Sequence, residues 1–331
     1  VKGWIAGLFA LMAAAAGAAP VVTPPADRRP ADQTYLTVPE WFLVFSPEEY
    51  ARSLAPARRS PSAFPFAGHI GQFWQSYRDV AAQCAPLPAN GGYHVMIAVI
   101  GVSTTVEYAL KGIYEGVVGR FTELVSNGAD TPEDRLGAKV AQDYVDFIKV
   151  RPWYEFDFLT PARQLWGLPA DGNILRRWER RYVLTSEYLV KAGYAQLIEA
   201  GTRSSYDVPI ERTIAIMRAP AGLALPPDTR VLAQDGTRWL IDTPRRQAFQ
   251  DAAIPLARQG AEFEEIAGNR SEILVTIVAS RPPPPGGRVI YTQAILTQLG
   301  LTRFAVAYPV QRLAGVLRET PVANVEHLYD Y

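Results

Sequence analysis

Three groups of side chains in this sequence have types and spacings that could do chemistry. The first is a set of carboxylates beside aromatic rings: Glu40 in PEWF, Asp143 and Asp146 in QDYVDF, and Glu155 and Asp157 in WYEFDF. Paired carboxylates with separated pKa values perform general acid–base work, including glycoside cleavage next to stacking aromatics. The plainer role is pairing with Arg151, Arg163 or Arg176 and capping helices, and it is the preferred one. The second group is His69, His94 and His327 with Glu107, a nominal ligand set for zinc or iron. At about 100° per residue, His94 and Glu107 lie well over a third of a turn apart on a shared helix. The sequence also lacks the Glu-x-x-His pair of di-iron bundles. No metal and no cofactor are expected.

The third group is Arg176-Arg177-Trp178-Glu179-Arg180-Arg181. Arg176, Arg177, Arg180 and Arg181 cover one side of a helix. Next to a membrane, such a face with Trp178 would hold anionic lipid or an acidic partner. A solvated or salt-bridged face is the plainer reading of the same residues. No phosphate-binding loop, dinucleotide fingerprint, nucleophile elbow, zinc-protease motif or paired-cysteine motif occurs. With 33 basic and 33 acidic residues, no global field draws the chain to nucleic acid, and nucleic-acid binding is not expected. The single cysteine, Cys84, excludes an internal disulfide and multi-cysteine metal sites.

The elements that must position these residues begin with Val1–Val22, in which Lys2 is the only charge. Gly3–Val22 is long enough to cross a hydrocarbon core as a helix. We read residues 1–22 as a membrane anchor helix, with Trp4 at the interface and Ile5, Leu8, Phe9 and Leu11 in the apolar layer. The same run has the plan of a signal peptide, with Ala16-Gly17-Ala18 as a small-residue cleavage site. Residues 23–33 form a proline-rich linker.

Residues 34–205 read as a mainly helical domain. Ser46 is placed to cap a helix with Pro47 at its first position. Tyr93–Val125 is the longest helical pattern, and it reads as a buried central helix. Glu107, Lys111 and Glu115 make one charged stripe along it, suited to ion pairs within the helix. Gly101, Gly112, Gly116 and Gly119 allow another helix to approach. Thr131-Pro132-Glu133-Asp134 opens a further helix, and Asn173 caps one that runs to about Ala200.

Residues 206–331 carry a repeat: Thr237–Pro244 (TRWLIDTP) and Thr302–Pro309 (TRFAVAYP) each precede a helix and another strand. Between them lie strand candidates Glu272–Ala279 and Arg288–Leu296, joined by a loop at Pro282–Gly287. The expected fold class is therefore α+β: an N-terminal transmembrane helix, a mainly helical domain, then a ferredoxin-like α/β sandwich built from two βαβ units.

Thr34–Ala51 (TYLTVPEWFLVFSPEEYA), Gly68–Val80, Gly92–Glu115 and Ala141–Phe158 resemble segments of a group of bacterial proteins with an N-terminal hydrophobic segment. The likeness extends to the terminal Glu326–Tyr331 (EHLYDY). That group has no established activity, so the resemblance implies membrane association and transfers no functional residue.

The expected function is a non-enzymatic accessory subunit that stabilises a larger photosynthetic or respiratory complex. Its partners would be membrane lipids and the other subunits. It would be single-pass in a bacterial inner membrane, with the bulk on the periplasmic side. One alternative is a membrane-tethered extracytoplasmic hydrolase using the acidic/aromatic segments. Another is a lipid- or small-molecule-binding protein with its pocket beneath Tyr93–Val125.

Overall fold

Helix signals in the first two thirds of the chain are strong and local. The structure, a computed structural model, describes residues 20–55, 60–205 and 211–330. The expected anchor, with Trp4, Ile5, Leu8, Phe9 and Leu11, lies outside the described residues. The helices are α1 (Gln33–Ser53), α2 (Phe66–Cys84), α3 (Gly91–Val125), α4 (Pro132–Ile148), α5 (Leu159–Trp166) and α6 (Ile174–Ser205). Helix α3 contains a π-helical turn, Glu115–Gly119. Thr131 and Asp134 form a reciprocal capping box at the start of α4, and Asn173 Oδ1 accepts the Arg176 N–H at 3.1 Å at the start of α6. Ser46 does not open a helix. Helix α1 runs through both Pro39 and Pro47, because the Ser46 hydroxyl finds tertiary partners in His69 and Tyr108 instead of a local N–H.

The sequence repeat corresponds to a structural one. Strands β1 (Arg212–Arg218), β2 (Arg230–Asp235) and β3 (Arg238–Pro244) are followed by α7 (Gln247–Arg258) and β4 (Glu262–Ile266). Strands β5 (Glu272–Ala279), β6 (Arg288–Ala294) and β7 (Thr302–Pro309) are followed by α8 (Val310–Glu319) and β8 (Val325–Leu328). Each set forms its own four-stranded antiparallel sheet, in the orders β2-β3-β1-β4 and β6-β7-β5-β8. The expected single ferredoxin-like sheet is therefore replaced by two sheets. In each, the first strand sits between the strands that flank the helix, so the βαβ unit is split. The sequence shows the units but not the pairing, because strand partners are chosen by tertiary packing.

Helices α7 and α8 lie between the sheets in one apolar core, where Ile241, Phe249, Phe263, Val275, Tyr308 and Leu313 are all buried. Each helix is tied to the last strand of the other repeat. The Gln250 amide of α7 bonds Val325 O and the Leu328 N–H of β8, and Arg318 of α8 pairs with Glu262 of β4 at 2.6 Å. The outer face of the second sheet is covered by α1 and α2 through Leu36, Phe45, Val80, Leu274 and Ala305. On the outer face of the first sheet, Val21 packs on Ile214, Ile216 and Leu240.

Helix α3 departs from the expected buried central helix. It packs on α2 and α1 through Ile97, Gly101, Thr104 and Tyr108, and its opposite side is exposed among the described residues. By length and composition it is apolar enough to span a membrane, yet only 17% of its most apolar window is buried. A Cβ at Gly101 would overlap the Phe73 and Trp74 rings, and one at Gly112 would sit 3.0 Å from Phe66. Substituting Gly101→Ala should destabilise the fold by about 1–3 kcal/mol through overpacking. Substituting Gly71→Ala in α2, where a Cβ meets nothing, should stabilise it by up to about 1 kcal/mol. Denaturant unfolding of the two variants checks the contrast.

Candidate functional site

The charged stripe on α3 does not pair with itself. Helices α3 and α6 run antiparallel, and each charge of the stripe reaches across to α6. Glu115 meets Arg180 in a bidentate pair at 2.9 and 3.0 Å. Lys111 meets Glu187 at 3.0 Å, and Glu107 meets Lys191 at 3.0 Å. Lys191 also bonds Glu187 at 3.0 Å, so these four residues form one quartet, linked in the order Glu107–Lys191–Glu187–Lys111. Tyr194 OH and Ser103 Oγ, 3.5 Å apart, make the last rung. The two helices are thus joined by a ladder of polar rungs.

The arginine cluster anchors the tight end of this ladder. Arg176 bonds Asp134 at 2.8 Å, Gly119 O at 3.1 Å and Thr122 Oγ1 at 3.1 Å. Arg180 also binds Glu179, and Arg181 bonds Glu133 at 2.7 Å and Leu168 O at 3.0 Å. Arg177 lies 3.6 Å from the same Glu133 carboxylate. Arg176, Arg177, Arg180 and Arg181 therefore face Glu115, Glu133, Asp134 and Glu179, almost entirely out of water. The arginine face expected to meet lipid or an acidic partner is turned into the protein, and only Trp178 of those five residues is exposed. The reason is electrostatic: four carboxylates from α3, α4 and α6 converge there, and buried charge persists only when paired.

With the charges turned inward, apolar side chains turn outward. Val95, Val99, Val102, Val106, Leu110, Ile113, Val117, Phe121 and Leu124 form one stripe on α3, each more than half exposed. At the helical rise this stripe is about 44 Å long. Tyr182, Leu189, Val190 and Leu197 continue it on α6, and Trp166 and Trp178, with rings 6.2 Å apart, lie beside the α6 N-terminal end. Between α3 and α6 runs an apolar trough of about 1050 Å³ with the quartet on its floor. Behind the quartet is a smaller inner cavity of about 110 Å³, reached by Ser46, Tyr50, Thr104, Tyr108, Tyr144 and Tyr188. Glu107, Lys111, Glu187 and Lys191 line both spaces.

A second polar cluster lies at the junction of α1, α2 and the second sheet. Ser46 Oγ is 2.9 Å from His69 Nδ1, and His69 Nε2 is 3.5 Å from Glu49 Oε2. The row resembles a nucleophile, base and acid, but its bonds belong elsewhere. The Ser46 hydroxyl is shared with Tyr108 OH at 2.7 Å, and Glu49 accepts from Arg303 at 2.9 Å and Thr297 at 3.1 Å. His69 Nε2 makes no hydrogen bond among the described residues. All three side chains are buried. Burial, then the nearby Arg303 guanidinium, pull the His69 pKa down to about 3. Arg303 also binds Glu326 at 2.6 and 2.7 Å and lies over the Phe45 ring, tying β7 to β8 and α1. This cluster holds the helices to the sheet.

The remaining expected site residues are scattered. Glu40 accepts from Tyr93 OH at 2.8 Å, Asp143 pairs with Lys139, Asp146 bonds Gln142, and Glu155 lies 3.6 Å from Arg151. Asp157 caps α5, accepting the Leu159 and Thr160 N–H groups. None of these carboxylates lines the trough or the inner cavity. His94 meets Tyr77 at 3.0 Å, and His327 stacks on Trp41. No group of three metal-ligating side chains occurs among the described residues. Burial pushes the Cys84 thiol up to about 11, with the Asp32 carboxylate adding to the effect, so it is a poor nucleophile at neutral pH. Lys191, Glu187 and the inner tyrosines escaped the sequence reading. Their signal, a Glu187–Lys191 spacing of four, is indistinguishable from an ordinary surface pair. Comparison with family models, curated proteins and solved structures finds no match.

Replacing Arg180 with Met leaves Glu115 and Glu179 short of their buried partner and should destabilise the protein by about 3–5 kcal/mol. Adding Glu115→Gln should recover part of that loss, measured as a double-mutant cycle in urea. Acid should also act through His69. Its folded pKa is below the unfolded value of about 6.5, so the unfolded chain binds the proton first. Stability is full above about pH 6.5 and falls as pH drops toward about 3. His69→Asn should remove close to one proton from that slope, read from unfolding free energies across the same pH range.

Proposed function

We propose that the protein is a non-enzymatic, membrane-anchored accessory subunit that seats its α3/α6 face against the apolar phase of a larger membrane assembly. The observation that carries this reading is the inverted amphipathicity of the two helices. Ion pairs fill their shared interior, while nine apolar side chains on α3 face outward and are exposed among the described residues. In water such a surface is unfavourable, and large exposed apolar patches mark interaction sites. In hydrocarbon the same arrangement is favourable, because ionisable groups within membranes face the bundle interior and pair with one another. Trp166 and Trp178 supply amphipathic rings at one end of the face, as aromatic belts do. The uncharged run from Gly3 to Val22 gives an independent route to the same membrane. A bacterial inner membrane, with the sandwich on its periplasmic side and a photosynthetic or respiratory complex as host, belongs to this proposal.

The hydrolase reading loses its support, since the acidic/aromatic carboxylates share no cleft and each serves a cap or a pair. The accessory reading is tested by mild detergent extraction of native membranes, then a native gel with mass spectrometry of the band holding this chain. Wild type should migrate with a large assembly. Val106→Asp with Ile113→Asp, two exposed positions whose change leaves the core intact, should release it toward its own mass of 36.4 kDa. Migration of the wild-type chain alone would overturn the reading.

A further inference from the structure

The inner cavity behind the quartet contains polar groups that the protein itself does not use. Tyr188, only 4% exposed, lines it from α6. Tyr50 and Tyr144 join it from α1 and α4, both half-buried. None of the three hydroxyls has a hydrogen-bond partner among the described residues, in contrast to Tyr108 OH, which is held by Ser46. Three tyrosines without a partner among the described residues, lining one cavity, offer free donors to an acceptor that enters it. The quartet adds to the surplus of donors. An ammonium group has three N–H bonds; Lys111 directs one to Glu187, and Lys191 directs one each to Glu107 and Glu187. Charge is already balanced there, since Lys111, Arg180 and Lys191 face Glu107, Asp134 and Glu187 around the cavity. An ionic head would therefore have to break an existing pair, whereas a neutral acceptor would not. Outside the quartet the trough offers about 1050 Å³ of apolar space, at the upper end of small-molecule sites.

We propose that trough and inner cavity form one binding site for a neutral molecule with a long apolar chain and a compact carbonyl head. The chain occupies the trough between α3 and α6. The head passes the quartet and accepts hydrogen bonds from the hydroxyls of Tyr144 and Tyr188, with Tyr50 and the Lys111 ammonium beside it. Lysine and tyrosine here bind and orient; no bond is made or broken. Entry of the chain sideways from a bilayer rests on the membrane reading above, whereas binding itself does not.

The test uses the full chain purified in a bulky-headed detergent, with radiolabelled 2-hexadecanone, hexadecane and hexadecanoate measured by equilibrium gel filtration. The ketone should bind saturably at one site per chain, about tenfold more tightly than the alkane, the gain expected from one to two hydrogen bonds in a buried site. The double variant Tyr144→Phe with Tyr188→Phe loses no internal hydrogen bond, so its melting temperature should be unchanged. It should bind the ketone no better than hexadecane, with hexadecane binding retained. Equal binding of ketone and alkane to the wild-type protein overturns the proposal. So does full ketone affinity in the double variant, tightest binding of hexadecanoate, or no saturable binding at all. Flotation of the same protein with phosphatidylcholine vesicles separates the two readings. Failure to float with ketone binding intact removes the membrane role and leaves the site.

Discussion

The polar ladder between α3 and α6 is the constraint on which the rest of the helical part depends. An isolated charge taken out of water costs several kcal/mol, so each must meet an opposite charge of matched geometry. Glu115 with Arg180, and the Glu107–Lys111–Glu187–Lys191 quartet, meet that requirement only if the two helices face each other along these side chains. Of the charged residues of α3 only Glu107 and Arg120 are exposed, so little charge covers its outer side. The exposed valine and leucine stripe is a consequence of the ladder as much as a feature of its own. Long side chains also hold the helices apart, which is why a trough lies between them rather than a close-packed seam.

The arginine cluster locks the same helices at one end with a different geometry. Planar guanidinium groups make several directed bonds at once, and Arg176 alone joins Asp134 of α4, the Gly119 carbonyl and Thr122 of α3. The π-helical turn at Glu115–Gly119 sits at this junction. It gives the buried Glu115 carboxylate and the Gly119 carbonyl a common direction toward α6, and the absence of a side chain at Gly119 leaves room for both Glu115 and Arg180. At the other side of the helical part, Arg303 links α1 to β7 and β8 through Glu49 and Glu326. Paired charges thus set the angle between the helices and fasten them to the sheet, while apolar burial fills the layers between.

Much of the secondary structure was legible because its signals are local. The cap at Thr131, the Asn173 cap and the strand runs Thr237–Pro244 and Thr302–Pro309 each depend on a few neighbouring residues. Ser46-Pro47 carried an equally good local signal for a helix start and misled, since His69 and Tyr108 compete for the hydroxyl. The stripe Glu107, Lys111, Glu115 was visible as a stripe, but its partners on α6 were not. A charge spaced by four along one helix looks the same whether it pairs within that helix or with a neighbour about 76 residues away. The burial of the arginines and the exposure of the valines follow from that single ambiguity. The inner tyrosines had no signal at all, because an unpaired hydroxyl is a property of the assembled cavity.

The crosswise seating of α7 and α8 has a consequence for how the sandwich comes into being. Each helix is bonded to the closing strand of the opposite repeat, through Gln250 at β8 and Arg318 at β4. Each repeat completes its sheet from its own strands, but its helix is fastened in part by the other repeat. The arrangement is that of two similar halves whose helices share one apolar core. The two repeats must condense together in one cooperative step, and a chain cut in the short connection between β4 and β5 would yield two pieces that are each other's template.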